Sequence, residues 1–490
     1  MRLQNTLPQL PTTPCGQTRL WIYAMKSTIA IIALLFTHSA IADWFDDVRN
    51  SGNAADLYRV LYYMPKGGDL HNHLSGSNFS EWWYELALAQ KERGYHYYTK
   101  VRIENCVAYG GDQFGRAPYY LMFRNITASQ YEGLSDCEKG EYKPLEQLNE
   151  DEKAAWLASI QLDKPFEGRE EFFGTHWPRL NVLTKNPWIQ AEALYRNMQA
   201  FGAEGLSYLE TMIAVYGFAE PDGGTITAEQ VVDILRQRLR QKDAIATGVT
   251  ARLQLPILRF LPSAEEELRG VYELVHNNSD ILVAVNMVGR EDNDKGYPRR
   301  FLSTLRDLRR QYSGVRLSIH AGEVDEPNYH VRDTLLLGAD RIGHGINLIS
   351  DDDTMLLMRH GPYMVETNLI SNLLLQYVND INEHPFPEYL RTGIPVALST
   401  DDRGMWDSTM TDEFFVAVTE FKLSWDEVKT LSRNSLQYSF VAPQLKQDLL
   451  QDFATRISQF ERGMEKYGLK EIGPMPPTRS FICKRYELCN

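Results

Sequence analysis

The chain has 490 residues, of which 43% are hydrophobic and 24% charged, with a formal net charge of −14. That apolar content over that length supplies a large core and excludes wholesale disorder. The acid excess excludes a nucleic-acid binder that works by neutralising phosphates, which needs clustered Lys and Arg; a small nucleotide-derived ligand stays open.

In chain order, the first feature is a leader. Lys26, the apolar run Ile29–Phe36 and Ala40-Ile41-Ala42 read as the basic, apolar and small-residue parts of a signal peptide cut after Ala42, so 1–42 is expected to be removed. A buried N-terminal helix is the alternative. Residues 1–24 are Pro- and Thr-rich and unlike a leader, which makes Met25 a second candidate start. The apolar run is shorter than the roughly 20 residues of a spanning helix, and no later run is long enough, so no membrane span is expected. The protein is expected to be exported, periplasmic or extracellular. The cut leaves Cys106, Cys137, Cys483 and Cys489. An even number in an exported chain points to disulfides, and locality alone pairs Cys106 with Cys137 and Cys483 with Cys489; four free thiols are the alternative. Asn78, Asn125 and Asn277 head glycosylation triplets, which also arise by chance.

After a short segment, 43–64, β-prone apolar runs alternate with helical stretches. The predicted strands are Gly68–His73, Leu206–Val215, Arg252–Arg259, Ile281–Gly289, Arg316–Glu323, Arg341–Gly345, Tyr363–Asn368 and Pro395–Asp402. Between them Ala228–Lys242, Ala264–His276, Phe301–Tyr312 and Asp352–His360 read as helices. Eight alternating strands predict an α/β fold, a closed (β/α)8 TIM barrel over 65–442, with an open doubly wound sheet as the alternative. The gap from His73 to Leu206 exceeds one crossover helix. Its Tyr-rich stretch, 93–165, reads as an ordered insertion over the barrel mouth, stapled by the first disulfide. A helical tail, 443–490, follows the barrel.

Polar tips cluster at the strand C-termini, where such barrels build their sites. His71-Asn72-His73 ends the first strand; a period of two turns both imidazoles inward. His320-Ala321-Gly322-Glu323 adds a third imidazole and a carboxylate, with Gly322 permitting the turn that carries Glu323 back over the mouth. Gly343-His344-Gly345 leaves room for a ligand beside His344. Ser399-Thr400-Asp401-Asp402 offers two carboxylates that can face opposite ways, although a helix N-cap also suits Asp402. Taken singly, each histidine has an ordinary structural role open to it. Together, three imidazoles and one aspartate can hold one divalent ion, and that ligand mix suits Zn²⁺, with Fe or Co possible. Glu323 would then handle protons, and His344 would orient or deprotonate a water. The P-C-x-x-C deaminase layout and H-E-x-x-H are both absent.

Met64-Pro65-Lys66-Gly67-Gly68-Asp69-Leu70-His71-Asn72-His73, then HAGE, RIGHGI and LSTDD in order, resembles the adenosine deaminase family over about Met64–Ala442. The leader, the insertion and the MPKGG opening look like its secreted, growth factor-related branch. The resemblance implies a metal-dependent hydrolase barrel with one zinc per chain on His71, His73, His320 and Asp401. It implies that Glu323 protonates purine N1 and that zinc-bound hydroxide attacks C6 with His344 assisting. Asp402 would meet N7 and the Gly289 backbone N3, giving inosine and ammonia from adenosine or 2′-deoxyadenosine. Another aminopurine such as adenine, or a signalling role on the same scaffold, are the alternatives. Two departures bear on substrate choice. Ser75 stands where many relatives carry a ribose-contacting Asp, and Arg290 stands where many carry Asp; Arg290 would favour a phosphate or sit solvated on the rim. His176 and Trp177 would line the pocket or pack as ordinary core. The partner expected is a small purine nucleoside; a homodimer is possible but not indicated.

Overall fold

The computed structural model describes residues 43–106, 120–292 and 295–490, so the leader lies outside the described residues. Eight strands run through the centre: β1 Gly67–Asp69, β2 Leu206–Met212, β3 Thr250–Leu258, β4 Leu282–Val288, β5 Arg316–Ala321, β6 Arg341–His344, β7 Met364–Thr367 and β8 Val396–Leu398. Each pairs in parallel with the next, in that order. Every residue of β2 and β4 is buried, as expected of parallel strands covered on both faces. Sequence alternation therefore located all eight strands, with ends that run one to four residues too long at several tips.

The ladder stops between β8 and β1, and the barrel closes just beyond their ends. The Asp401 amide donates to the His71 carbonyl at 2.9 Å, and the His73 amide donates to the Asp401 carbonyl at 3.2 Å. Thr400 Oγ1 adds a hydrogen bond to Asp69 Oδ2 at 2.6 Å. The closure seam is thus made by the residues that carry the candidate chemistry.

The helices used below are α1 Ala54–Tyr63, α2 Pro187–Ala203, α3 Ala228–Leu239, α4 Ala264–Asn277, α5 Leu302–Gln311, α6 His330–Leu337, α7 Asp352–His360, α8 Leu369–Leu374, α9 Phe386–Thr392, α10 Met410–Phe421, α11 Trp425–Gln437 and α12 Pro443–Tyr467. Local chemistry sets their ends. Thr227 and Gln230 form a capping box at the start of α3, and Gly338, in the left-handed region, ends α6. The base of β1 is sealed by α11. A side chain at Gly67 would lie 2.1 Å from the Ser432 carbonyl, and the Gly68 amide donates to Ser435 Oγ.

The insertion holds a three-stranded antiparallel sheet, Tyr97–Lys100, Asn125–Thr127 and Tyr142–Pro144, and the Cys106–Cys137 disulfide. Cys483–Cys489 closes the second pair. No described residue of 93–165 lines the central cavity; Phe172, Phe173, Trp177, Pro178, Asn181, Thr184 and Lys185 form that wall instead. The tail is no separate appendage, because Phe481 and Ile482 are buried against the barrel core. Two of the glycosylation triplets are folded in, since Asn78 and Asn125 are buried while Asn277 is exposed. Among the described residues, no helix is long and apolar enough to cross a membrane.

Candidate active site

β1 ends two residues before the first histidine, so strand alternation is not what turns both rings inward. The seam does it. Asn72 bridges to Asp401 and His73 to Met212, and Asn72 is spent on Thr211 and Thr400. His73 Nε2 lies 3.2 Å from His320 Nε2 and 3.2 Å from Asp401 Oδ1, and His71 Nε2 lies 3.6 Å from the same oxygen. Ligand atoms of all four residues fall within 4.8 Å of one another. Asp401 sits in the left-handed region, with φ 53°. The two carboxylates therefore do not split by strand pleat: Asp401 and Asp402 both line the cavity from a turn beyond β8.

The donor set fits a divalent cation. Buried His71 Nε2 and Asp401 Oδ1 have no hydrogen-bond partner. Their neighbours leave the inward nitrogens free to ligate. His71 Nδ1 meets Glu366 Oε2 at 2.8 Å and His320 Nδ1 meets Asn286 Oδ1 at 2.9 Å, so in the ligating form each ring keeps its proton outward and offers its Nε2 lone pair. Burial opposes a charge on His71, but the nearby carboxylates of Asp401 and Glu366 outweigh it and carry the ring up to about 10. That excess of carboxylate around one ring is the charge a divalent cation balances. Burial, together with His71, His344 and His73, holds His320 well below the usual histidine range. Ser371 Oγ donates to Asp401 Oδ2 at 2.6 Å and orients it.

Glu323 follows Gly322, whose φ of 78° makes the turn. A buried carboxylate holds that turn: Glu291 accepts from the amides of Gly322 and Glu323 and from His330 Nδ1. Burial opposes ionisation of Glu291, but Arg259 and His330 keep it an anion, at about 2. Arg259 also donates to the His320 carbonyl at 2.6 Å, tying both ends of the HAGE turn together. Burial, with the charges of Asp401 and Glu291, raises Glu323 well above the carboxylate range. That shift favours its protonated, acid form. Burial, Asp401 and Glu323 raise Asp402 in the same direction, and Asp402 Oδ1 is buried without a partner.

His344, at φ 64°, turns Nε2 toward Glu323 Oε1 at 3.6 Å. Burial first, then the His71 charge, lowers it to about 3, so the ring is neutral. The flanking glycines do not make room for a ligand. A side chain at Gly343 would lie 2.6 Å from the His71 ring, and one at Gly345 2.9 Å from Val365. The space belongs to core packing and to the metal ligand.

These groups open into a cavity of about 500 Å³. Ser75, Gly289 and Trp177 line it as expected; Gly289 has φ 95°, and a side chain there would strike Phe260 at 2.6 Å. His176 does not. It is buried in the wall, with Nε2 against the Gln161 carbonyl and Nδ1 against the Glu171 carbonyl, because the π-helical turn Phe172–His176 points it away. Arg290 is absorbed by Asp292 and Glu170 at 2.6 and 2.8 Å and does not line the cavity. Residue order marks Glu291, Glu366 and Asn368 only as parts of the polar strand tips GRED and ETN, and assigns no role to them or to Asn286, Ser371 and Asn372. A signal existed for two of them: Asn286 and Glu366 are polar residues inside runs otherwise built for burial.

A model of the adenosine deaminase family matches residues 149–456. The adenosine deaminase of Enterococcus faecalis is 28% identical over 273 residues, covering 56% of this chain and 77% of that protein. The structure of adenine deaminase from Arthrobacter aurescens aligns at a TM-score of 0.58 and 18% identity, over 80% of this chain and 99% of that one. A zinc-bound amidohydrolase from Burkholderia ambifaria aligns at 0.59 and 16% identity, over 84% and 95%. At those identities the two structures speak for the fold.

Proposed function

The chain belongs to the adenosine deaminase family, and from that premise we propose that it hydrolyses adenosine and 2′-deoxyadenosine to the 6-oxo nucleoside and ammonia. The observation that carries this reading is the convergence of His71, His73, His320 and Asp401 beside Glu323, whose acid form burial favours, at the cavity. One zinc ion per chain on those four residues, when bound, supplies the charge that brings a water's pKa down toward neutrality.

The chain's own residues do the rest. Glu323 gives its proton to purine N1, which draws electron density from C6. Asp402, its Oδ1 unpartnered and its carboxyl pushed toward the protonated form, hydrogen-bonds at N7. The Gly289 amide, at a position where no side chain intrudes, meets N3. Phe172, Phe173 and Trp177 supply an aromatic wall of the cavity.

The polar lining of the cavity supports a sugar-bearing substrate over the free base. Ser75, Gln190, Thr184, Asn181 and Lys185 belong to it, and Lys185 is the only lysine or arginine among the described lining residues. Adenine carries no sugar hydroxyls with which to use them. The two disulfides support an exported enzyme, since they persist in oxidising compartments. The test is purified 43–490 with adenosine or adenine, following ammonia with and without a zinc chelator. Chelator-sensitive inosine formation, with adenosine well ahead of adenine in kcat/KM, is expected. Preference for adenine would overturn the substrate assignment.

A further inference from the structure

The protons along one buried chain of side chains can be assigned from a backbone amide outward. The Phe386 amide donates to His384 Nδ1 at 3.1 Å. A backbone N–H can only donate, so His384 Nδ1 bears a lone pair and its proton sits on Nε2. His384 Nε2 meets Asn372 Oδ1 at 3.0 Å, which sets the amide with its oxygen toward His384. Asn372 Nδ2 then points at His344 Nδ1, at 2.9 Å, and Asn368 Nδ2 reaches the same nitrogen at 3.2 Å. His344 Nδ1 therefore accepts, and the proton of its neutral ring sits on Nε2, the atom that faces the cavity and has no partner of its own.

All four side chains are at most 2% exposed, so water does not compete for these bonds. The chain runs between elements that do not otherwise share the site: His344 ends β6, Asn368 and Asn372 lie at the start of and within α8, and His384 precedes α9.

We propose that Asn372 and His384 are positioning residues that fix His344 as its Nε2–H tautomer, so that His344 acts as a hydrogen-bond donor toward the oxygen added at C6 and not as a base. An Nε2 that already holds the proton of a neutral ring has no lone pair with which to deprotonate a water. This decides between the two roles that the residues alone leave open. The tautomer assignment stands by itself; its catalytic consequence rests on the proposed deamination.

The test uses zinc-loaded enzyme labelled with ¹⁵N-histidine and long-range ¹H–¹⁵N spectra, with His344 assigned through His344→Gln. Wild type is expected to show His344 and His384 protonated on Nε2 alone. His384→Leu should give His344 a mixture of tautomers and lower kcat by about 10- to 100-fold, the usual range for such supporting contacts, with KM and zinc content little changed. His384→Gln, whose side-chain amide places a donor where Nε2–H stood, should restore both. A wild-type His344 carrying its proton on Nδ1 overturns the proposal, as does a His384→Leu enzyme with unchanged tautomer and kcat. If neither adenosine nor adenine is turned over, the functional reading fails while the spectrum still decides the tautomer.

Discussion

Glu323→Gln isolates one proton. Glu323 is 4% exposed, and burial with the nearby charges of Asp401 and Glu291 favours its protonated form. The amide is close to isosteric and neutral, so it replaces a neutral group by a neutral group, and folding stability should change by less than about 1 kcal/mol. What disappears is the transferable proton. General-acid catalysis contributes about 10²- to 10⁴-fold, or about 2.7 to 5.4 kcal/mol at 1.36 kcal/mol per decade. The loss should fall on kcat, with KM for adenosine within a few-fold, because the amide still donates a hydrogen bond to substrate. The sign of the pH dependence follows from the same group. The protonated form is the competent one, so wild-type kcat/KM should decline as pH rises through the raised pKa of Glu323, and the variant should lack that limb. The assay is the absorbance change from adenosine to inosine across pH, with zinc measured on the same samples. A variant that keeps kcat within tenfold of wild type, zinc bound, would refute the assignment of Glu323 as the acid.

Glu366→Gln replaces the carboxylate that anchors His71 Nδ1 at 2.8 Å, and zinc affinity should drop about 10- to 100-fold in competition with a chelator; unchanged affinity would mean the contact is only structural. The two disulfides should differ in weight. Closing separations of 31 and 6 residues gives about 3.7 and 2.2 kcal/mol by loop entropy, so Cys137→Ser should lower stability more than Cys489→Ser in a denaturant titration, and equal effects would count against that account. Asp412, paired with Tyr58 at 2.7 Å, is pushed up to about 7, chiefly by burial. Between about pH 4 and 7 the folded chain then holds a proton that the unfolded chain has released, so stability should fall as pH rises through that window, by at most about 1.4 kcal/mol per unit. Asp412→Asn should flatten this part of the Tm profile, and an unaltered slope would show that other groups set it.

Residue order alone determined the barrel and the centre of its site. The alternation of short apolar runs with helical periods is local, and eight repeats of it leave few closed arrangements. His71, His73, His320, Glu323, His344, Asp401 and Asp402 stand out because their chemistry is concentrated at strand tips. Tertiary structure decided how those residues are aimed and supported. His71 and His73 face inward through bonds to Asp401, more than 300 positions away, and not through the pleat of a strand that ends at Asp69. His71 owes its orientation to Glu366 and His320 owes its own to Asn286, partners that meet only when the barrel closes. For His176 and Trp177 residue order leaves lining and packing both open; a π-helical turn of one extra residue turns His176 into the wall and leaves Trp177 in the cavity. The tautomer of His344 depends on His384, which no motif marks, because a proton's position follows from the last donor in a chain of contacts. Local periodicity specifies elements; contacts across hundreds of residues specify where a lone pair points.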